Sequence, residues 1–238
     1  RAERQAQRLR LSLVDAAPLR DLGAAVHDQV NSQAGLLAFI ELLGLVLPCD
    51  FALVHAAPED DPKGDRSEFL HVCFPSSWAP RLKVGRDFAD IHRPVANNQV
   101  IMKGHVNLVR AMCFKGPYVR YAWGLHRHGD LDSNPDHGRR KEDLSGLSAA
   151  DVAGKTWLRV ERQTTLPLPE LRRGLFTIRT YVEPLISIAK DAEKAAQLAA
   201  AIRSMNADAL RYKGLLDRRD ALLEYLDASV RQGESESA

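Results

Sequence analysis

The stretch from Trp157 to Leu185 constrains the fold more than any other. It holds two alternating runs, W-L-R-V-E-R-Q and L-F-T-I-R-T-Y-V, joined by a Pro-rich connection. Alternation marks a strand, because successive side chains leave a pleated backbone on opposite sides. In the first run Trp157, Arg159, Glu161 and Gln163 share one side, and Leu158, Val160 and Arg162 share the other. The second run separates Phe176, Ile178, Thr180 and Val182 from Leu175, Thr177, Arg179 and Tyr181. We expect an antiparallel ribbon in which Thr177, Arg179 and Tyr181 join Arg159 and Glu161. Such a charged face is either half-solvated or the polar wall of a ligand cavity bordered by Trp and Tyr rings. The alternation fits both.

Composition narrows the setting. With 238 residues, 45% of them hydrophobic, the chain can bury a sizeable core and fits one large domain. We expect a basic arm over residues 1–17, carrying Arg1, Arg4, Arg8 and Arg10, a domain over 18–231 and a disordered tail over 232–238. A net charge of +2 with acids and bases interspersed gives no broad field for nucleic acid. Cys49, Cys73 and Cys113 are widely spaced and form no C-x-x-C, which argues against a disulfide framework or a structural zinc site and favours a reducing compartment, the cytoplasm. No apolar run reaches membrane-spanning length.

Along the chain, Asp15 and Pro18 open a helix, and the crowded apolar run from Leu36 to Val46 reads as a second, stopped by Pro48. Strands are expected over Asp50 to Ala56 and Glu68 to Phe74, the latter carrying His71 beside Phe69 and Cys73. Prolines 75, 80 and 94 stiffen a shaped loop with one helical turn near Asp87, and His92 ends it. Read alone, His92 is an exposed or hydrogen-bonded side chain. A helix over Asn98 to Cys113 and a strand over Tyr118 to Leu125 follow, the strand setting Arg120 among aromatic residues that include Trp123. The segment from His126 to His137 is rich in His and Asp, a potential ligand set, but its Gly, Pro and Asn content reads as a solvated loop. Pro184 starts a long helix that Asn206 ends, and Asp217 caps a last one. The phosphate loop, the nucleophile elbow and the dinucleotide Gly fingerprint are all missing.

Three blocks belong together: H-V-C-F-P-S-S-W with K-V-G-R and I-H-R-P-V; Y-V-R-Y-A-W-G-L; and L-R-V-E-R-Q-T with L-F-T-I-R-T-Y-V-E-P-L and R-Y-K-G-L. Their order and spacing, from about Leu36 to Leu226, resemble the haem-dependent oxidative N-demethylase alpha-subunit family. The resemblance implies an α+β fold, a PAS-like antiparallel sheet with flanking helices around a pocket for haem b. It implies oxygen-dependent demethylation of a small secondary amine such as dimethylamine, releasing formaldehyde, with electrons from separate flavin and iron-sulfur reductase subunits. The family's I-H-x-P-V block falls on Ile91, His92, Pro94 and Val95, which makes His92 the axial-ligand candidate, with His71 as runner-up. The two ribbon blocks fall on Arg159 to Gln163 and on Phe176 to Tyr181. The resemblance implies Glu161, Arg159 and Tyr181 as catalytic candidates, Glu161 holding a protonated amine, and Arg179, together with Arg120 and Trp123 of the Y-V-R-Y-A-W-G-L block, as cofactor-binding ones. The chain departs from the family at Val95-Ala96, where V-P is common; this relaxes the loop after His92. Two other classes remain open: a haem or small-molecule sensor, and a metal-dependent hydrolase built on the His126 to His137 segment.

Overall fold

The computed structural model describes residues 49–61, 64–138, 142–144 and 146–236. The basic arm and the two helices expected between Asp15 and Val46 lie outside the described residues. Five strands form one antiparallel sheet in the order β2-β1-β5-β4-β3. They are β1 (Asp50–His55), β2 (Arg66–His71), β3 (Tyr118–His126), β4 (Trp157–Leu168) and β5 (Arg173–Pro184). The expected ribbon is thus the β4–β5 hairpin, inside the sheet rather than at its edge. Helices α1 (Phe88–His92), α2 (Gln99–Phe114), α3 (Ala149–Gly154), α4 (Leu185–Ile188), α5 (Ala192–Arg203), α6 (Ala207–Tyr212) and α7 (Arg219–Glu236) accompany it, so the class is α+β. Among the described residues no helix is long and apolar enough to cross a membrane.

Register corrects the expected faces. Across the hairpin Glu161 pairs with Thr180 and Gln163 with Ile178, whereas Arg162 pairs with Arg179 and Val160 with Tyr181. Directly opposed residues of an antiparallel pair leave the sheet on the same side. Arg159, Glu161 and Gln163 therefore share a face with Val182, Thr180 and Ile178, and Thr177, Arg179 and Tyr181 stand on the opposite one. Alternation sorts each strand but cannot fix parity across a turn, because one residue more or less flips every side chain. Here the turn is a 3-10 segment, Pro169–Leu171, followed by Arg172 in the left-handed region (φ 53°). On the third strand Arg120 pairs with Gln163, Ala122 with Glu161 and Gly124 with Arg159, which adds Arg120 to the first face.

Helix α2 lies against this first face. Val109 and Cys113 are fully buried with Ala56, and Val54 and Phe88 pack on them. The approach is close: a Cβ at Gly174 would fall 2.7 Å from the Met112 carbonyl oxygen, so only glycine lets helix and strand meet there. A second core holds Leu125, Leu185, Leu198, Ile202, Leu215, Leu222 and Leu226, drawn from one end of β3, from helices α4, α5 and α7 and from the connection before α7. Arg218, 3% exposed, ties this core to the sheet by donating to the Thr156 hydroxyl and the Leu125 carbonyl.

Several boundaries move for identifiable reasons. The second strand stops at His71, because the backbone amides of Cys73 and Phe74 leave the ladder to bond the buried Asp50 carboxylate, each at 2.9 Å. The helix expected from Pro184 to Asn206 is two, since Asp191 caps a new start by accepting from the Lys194 amide. Asn206 begins α6 rather than ending α5, its side chain accepting from the Ala209 amide. Asp217 bonds Arg127 instead of capping α7. That last helix runs to Glu236, past the tail boundary expected at Gln232. Helix α3, capped by Ser148, escaped the pattern because six residues are too few for periodicity.

Candidate functional site

Helix α1 carries the first element of the site. Asp87 caps it by accepting from the Asp90 amide, and Phe88 anchors it in the α2 core. One turn later His92 stacks on the Phe88 ring at 4.0 Å between centroids. Its Nδ1 donates to the Phe88 carbonyl at 2.8 Å, so the neutral ring carries its lone pair on Nε2. Burial holds this imidazole below its ordinary pKa; the Phe88 bond opposes that, and the charges of Arg120 and Lys83 add to it. Lys83 Nζ itself donates to the Ile91 carbonyl at 3.0 Å. The sequence expectation of an exposed or hydrogen-bonded loop His becomes a half-buried helical one with a fixed tautomer.

From Arg120 a chain of hydrogen bonds crosses the first face of the sheet. Arg120 Nε donates to Gln163 Oε1 at 2.6 Å, and Gln163 Nε2 donates to Glu161 Oε2 at 2.7 Å. The other Glu161 oxygen accepts from the Ser76 hydroxyl, which in turn accepts from Arg159 Nε at 2.7 Å. Each carboxylate oxygen of Glu161 thus has one partner and lone-pair capacity for another. Thr180, opposite Glu161, buries a hydroxyl that has no hydrogen-bond partner among the described residues. Tyr212, from α6, is near enough that its pKa is raised, first by partial burial and then by the Glu161 charge.

Arg159 is 2% exposed and spends its guanidinium on the protein. Besides Ser76 it donates to the carbonyls of Phe74, Asp130 and Leu131. It therefore pins two loops, 74–77 and 130–131, over β4, and it holds Ser76 where that hydroxyl meets Glu161. The loop at Ser77 takes a left-handed turn (φ 64°), a conformation unfavourable for serine that these contacts over-determine.

The same bonds correct in part the reading of the His126 to His137 segment as a solvated loop, in which residues 129–131 and 135–137 are exposed. Its carbonyls at 130 and 131 cap Arg159, Ser133 is buried, and Gly129 lies so close to Trp157 that a Cβ would fall 2.6 Å from the indole nitrogen. Its potential ligands are dispersed: His137 bonds Asp132, His128 faces Asp130, and His126 lies within the protein. Among the described residues no three His, Cys, Asp or Glu side chains converge to hold a metal ion. Burial, followed by the charges of Arg159, His128, Arg218 and Lys213, pushes the His126 pKa down to about 4.

The structure thus brings together His92, Arg120, Glu161 and Arg159 and separates the rest. Tyr181 and Arg179 stand across the sheet, the Arg179 guanidinium 5.7 Å from the Tyr181 ring. Trp123 also points to that side, and Lys213 donates to its carbonyl while lying 4.8 Å from its ring. His71 stacks on Phe51 at 5.1 Å, and its Nε2 meets the Cys73 sulfur at 3.9 Å. The roles of Ser76 and Lys83 were not read from the sequence: the Ser76 contact reaches a strand residue 85 positions away and leaves no periodic trace, and Lys83 lies in a loop without one. Gln163 was visible in the alternation but not as the link between Arg120 and Glu161.

No curated protein sequence matches the chain significantly. The sequence model of a family described as haem-dependent oxidative N-demethylase, alpha subunit-like, matches residues 23–223, which include every residue of the constellation around His92 and Glu161. On that match, the chain belongs to the haem-dependent oxidative N-demethylase, alpha subunit-like family.

Proposed function

We propose that this protein is the haem-bearing subunit of an oxidative N-demethylase, with a PAS-like sheet and haem b held through His92. The observation that carries the reading is the bond from His92 Nδ1 to the Phe88 carbonyl. It fixes the ring, raises the donor strength of the remaining nitrogen and leaves Nε2 as the neutral donor that haem iron takes. Lys83 and Arg120, the two cations near enough to lower the His92 pKa, supply partners for the haem carboxylates. The bound haem supplies oxygen activation and oxidation at the N-methyl carbon, which leaves as formaldehyde.

The chain's own residues bind and orient. Glu161, aimed by Gln163 and Ser76, receives a small secondary ammonium such as protonated dimethylamine on its free lone pairs. The unpartnered Thr180 hydroxyl beside it offers a further polar contact. Arg159 positions Ser76 and through it the carboxylate, so its part is structural rather than catalytic. Electrons come from separate flavin and iron-sulfur subunits. Its three cysteines are free, which suits the cytoplasm.

The test begins with an absorption spectrum of the haem-loaded protein. A Soret band that His92→Ala abolishes and His71→Ala retains is expected; retention of full haem affinity by His92→Ala overturns the assignment. Because the His92 pKa is lowered, haem loading holds as pH falls past 6.5 and fails only where the folded imidazole finally takes a proton. Glu161→Gln should cost no more than about 1 kcal/mol of stability yet abolish the amine-induced Soret shift and amine-dependent oxygen uptake. Haem binding with spectral response to amines but no turnover with any reductase would instead make this a sensor.

A further inference from the structure

The face of the sheet turned away from His92 carries a feature that neither haem nor amine chemistry uses. Arg162 and Arg179 are direct cross-strand partners, so both guanidinium groups leave the same side, and both residues are exposed. Like charges set directly opposite each other cost stability. Neither meets an acid: among the described residues neither Arg162 nor Arg179 makes an ion pair or hydrogen bond through its side chain, and Arg179 has only the Tyr181 ring, 5.7 Å from its guanidinium. Tyr121 pairs with Arg162 on the third strand, which completes a row of Tyr121, Arg162 and Arg179 across β3, β4 and β5. Apolar surface borders the row, with Tyr121 65%, Val119 50% and Tyr181 48% exposed.

We propose that this row is a docking surface for an acidic segment of another polypeptide. Carboxylates bind Arg162 and Arg179, and the apolar flank of the segment rests on Tyr121, Val119 and Tyr181. Each guanidinium offers five N–H donors in a planar fork that matches a carboxylate, and here all of them are uncommitted. Tyrosine and arginine are also the residues enriched where protein interfaces draw most of their energy. A nucleic acid would need an extended basic field, which a net charge of +2 with interspersed signs does not give. A second copy docking by the same face would set one Arg pair against another, because a two-fold interface repeats the same patch on both sides. The surface is independent of haem, so its test stands apart from that of the proposed function.

The full chain is titrated into a fluorescein-labelled octapeptide of alternating Glu and Tyr, and anisotropy is followed at low and at physiological salt. Saturable, salt-weakened binding is expected, reduced by at least about tenfold in Arg162→Glu/Arg179→Glu, as loss of two charge contacts predicts. The same charge change on α2, Lys103→Glu/Arg110→Glu, should leave binding within about twofold of wild type. If the glutamate pair unfolds the protein, Arg162→Gln/Arg179→Gln, which removes the repulsion without adding acids, takes its place with the same expected loss. Absence of saturable binding, equal loss in the α2 variant, or tighter binding of a single-stranded oligonucleotide of equal charge overturns the proposal. So does a wild-type dimer in sedimentation that the Arg162/Arg179 variants convert to monomer.

Discussion

Arg159 and Arg162 lie three residues apart on one strand and experience opposite environments. Arg159 is 2% exposed and bound to Ser76 and three carbonyls, while Arg162 stands exposed beside Arg179 and, among the described residues, meets no acid. A one-residue change of parity separates them. On the first face loops fold back over β4 and take up the Arg159 guanidinium; on the other Arg162 and Arg179 stay exposed and their charge stays available. The difference teaches that an arginine in a strand is defined by what covers its face. A buried one holds structure together, because leaving its partners or itself unpaired is costly. An exposed one does little for the fold and remains free for recognition.

The comparison is tested most severely at Arg159. Replacing it with Met strands three carbonyls and the Ser76 hydroxyl, and urea denaturation should show a loss of about 3–5 kcal/mol. An equal loss on Arg162→Met would break the distinction between the two faces.

The next effect is set by His126, whose folded pKa of about 4 lies well below its ordinary value. Below about pH 6.5 the unfolded chain takes a proton that the folded one refuses. The contribution is therefore fully present above that pH and declines as pH falls towards 4, where the folded ring also protonates. The total change is on the order of 3 kcal/mol. Denaturation curves across that window should show the decline in the wild type and a flatter profile in His126→Asn; identical profiles would mean that the ring is not buried beside Arg159 and Arg218.

The smallest effect belongs to the uncovered face. Arg179→Thr relieves the like-charge pair with Arg162 and places a good strand former there, so thermal melting should show a gain of a few tenths of a kcal/mol. A loss greater than about 1 kcal/mol would show that the pair is part of a structural network and sharpen the contrast the other way.

Much of the architecture was legible because it rests on short-range rules. The alternation of Trp157 to Gln163 and of Leu175 to Val182 gave the hairpin, and the 3.6-residue spacing after Asn98 gave α2 within one residue at each end. His92 was reached through the resemblance of its I-H-R-P-V block, not through periodicity. Arg159 and Glu161 were reached from the charged face, yet their division of labour was invisible, since nothing in R-V-E says which side chain is enclosed by loops 74–77 and 130–131. Tyr181 and Arg179 were expected beside Arg159 and Glu161 and stand on the other face, because strand alternation has no absolute phase.

The sequence by itself determined which residues of one strand share a face, where α2 and the hairpin lie, and to which family the blocks belong, because each depends on neighbours within a few positions or on the order of motifs. Only the tertiary structure decided which of the two faces meets α2, that Ser76 stands between Arg159 and Glu161, and that the His-rich segment closes over a buried guanidinium. These depend on register across a turn and on contacts more than 25 residues apart in sequence, such as the 83 between Ser76 and Arg159. Satisfying a buried charge is a condition on three-dimensional neighbours, and no local pattern records who those neighbours are.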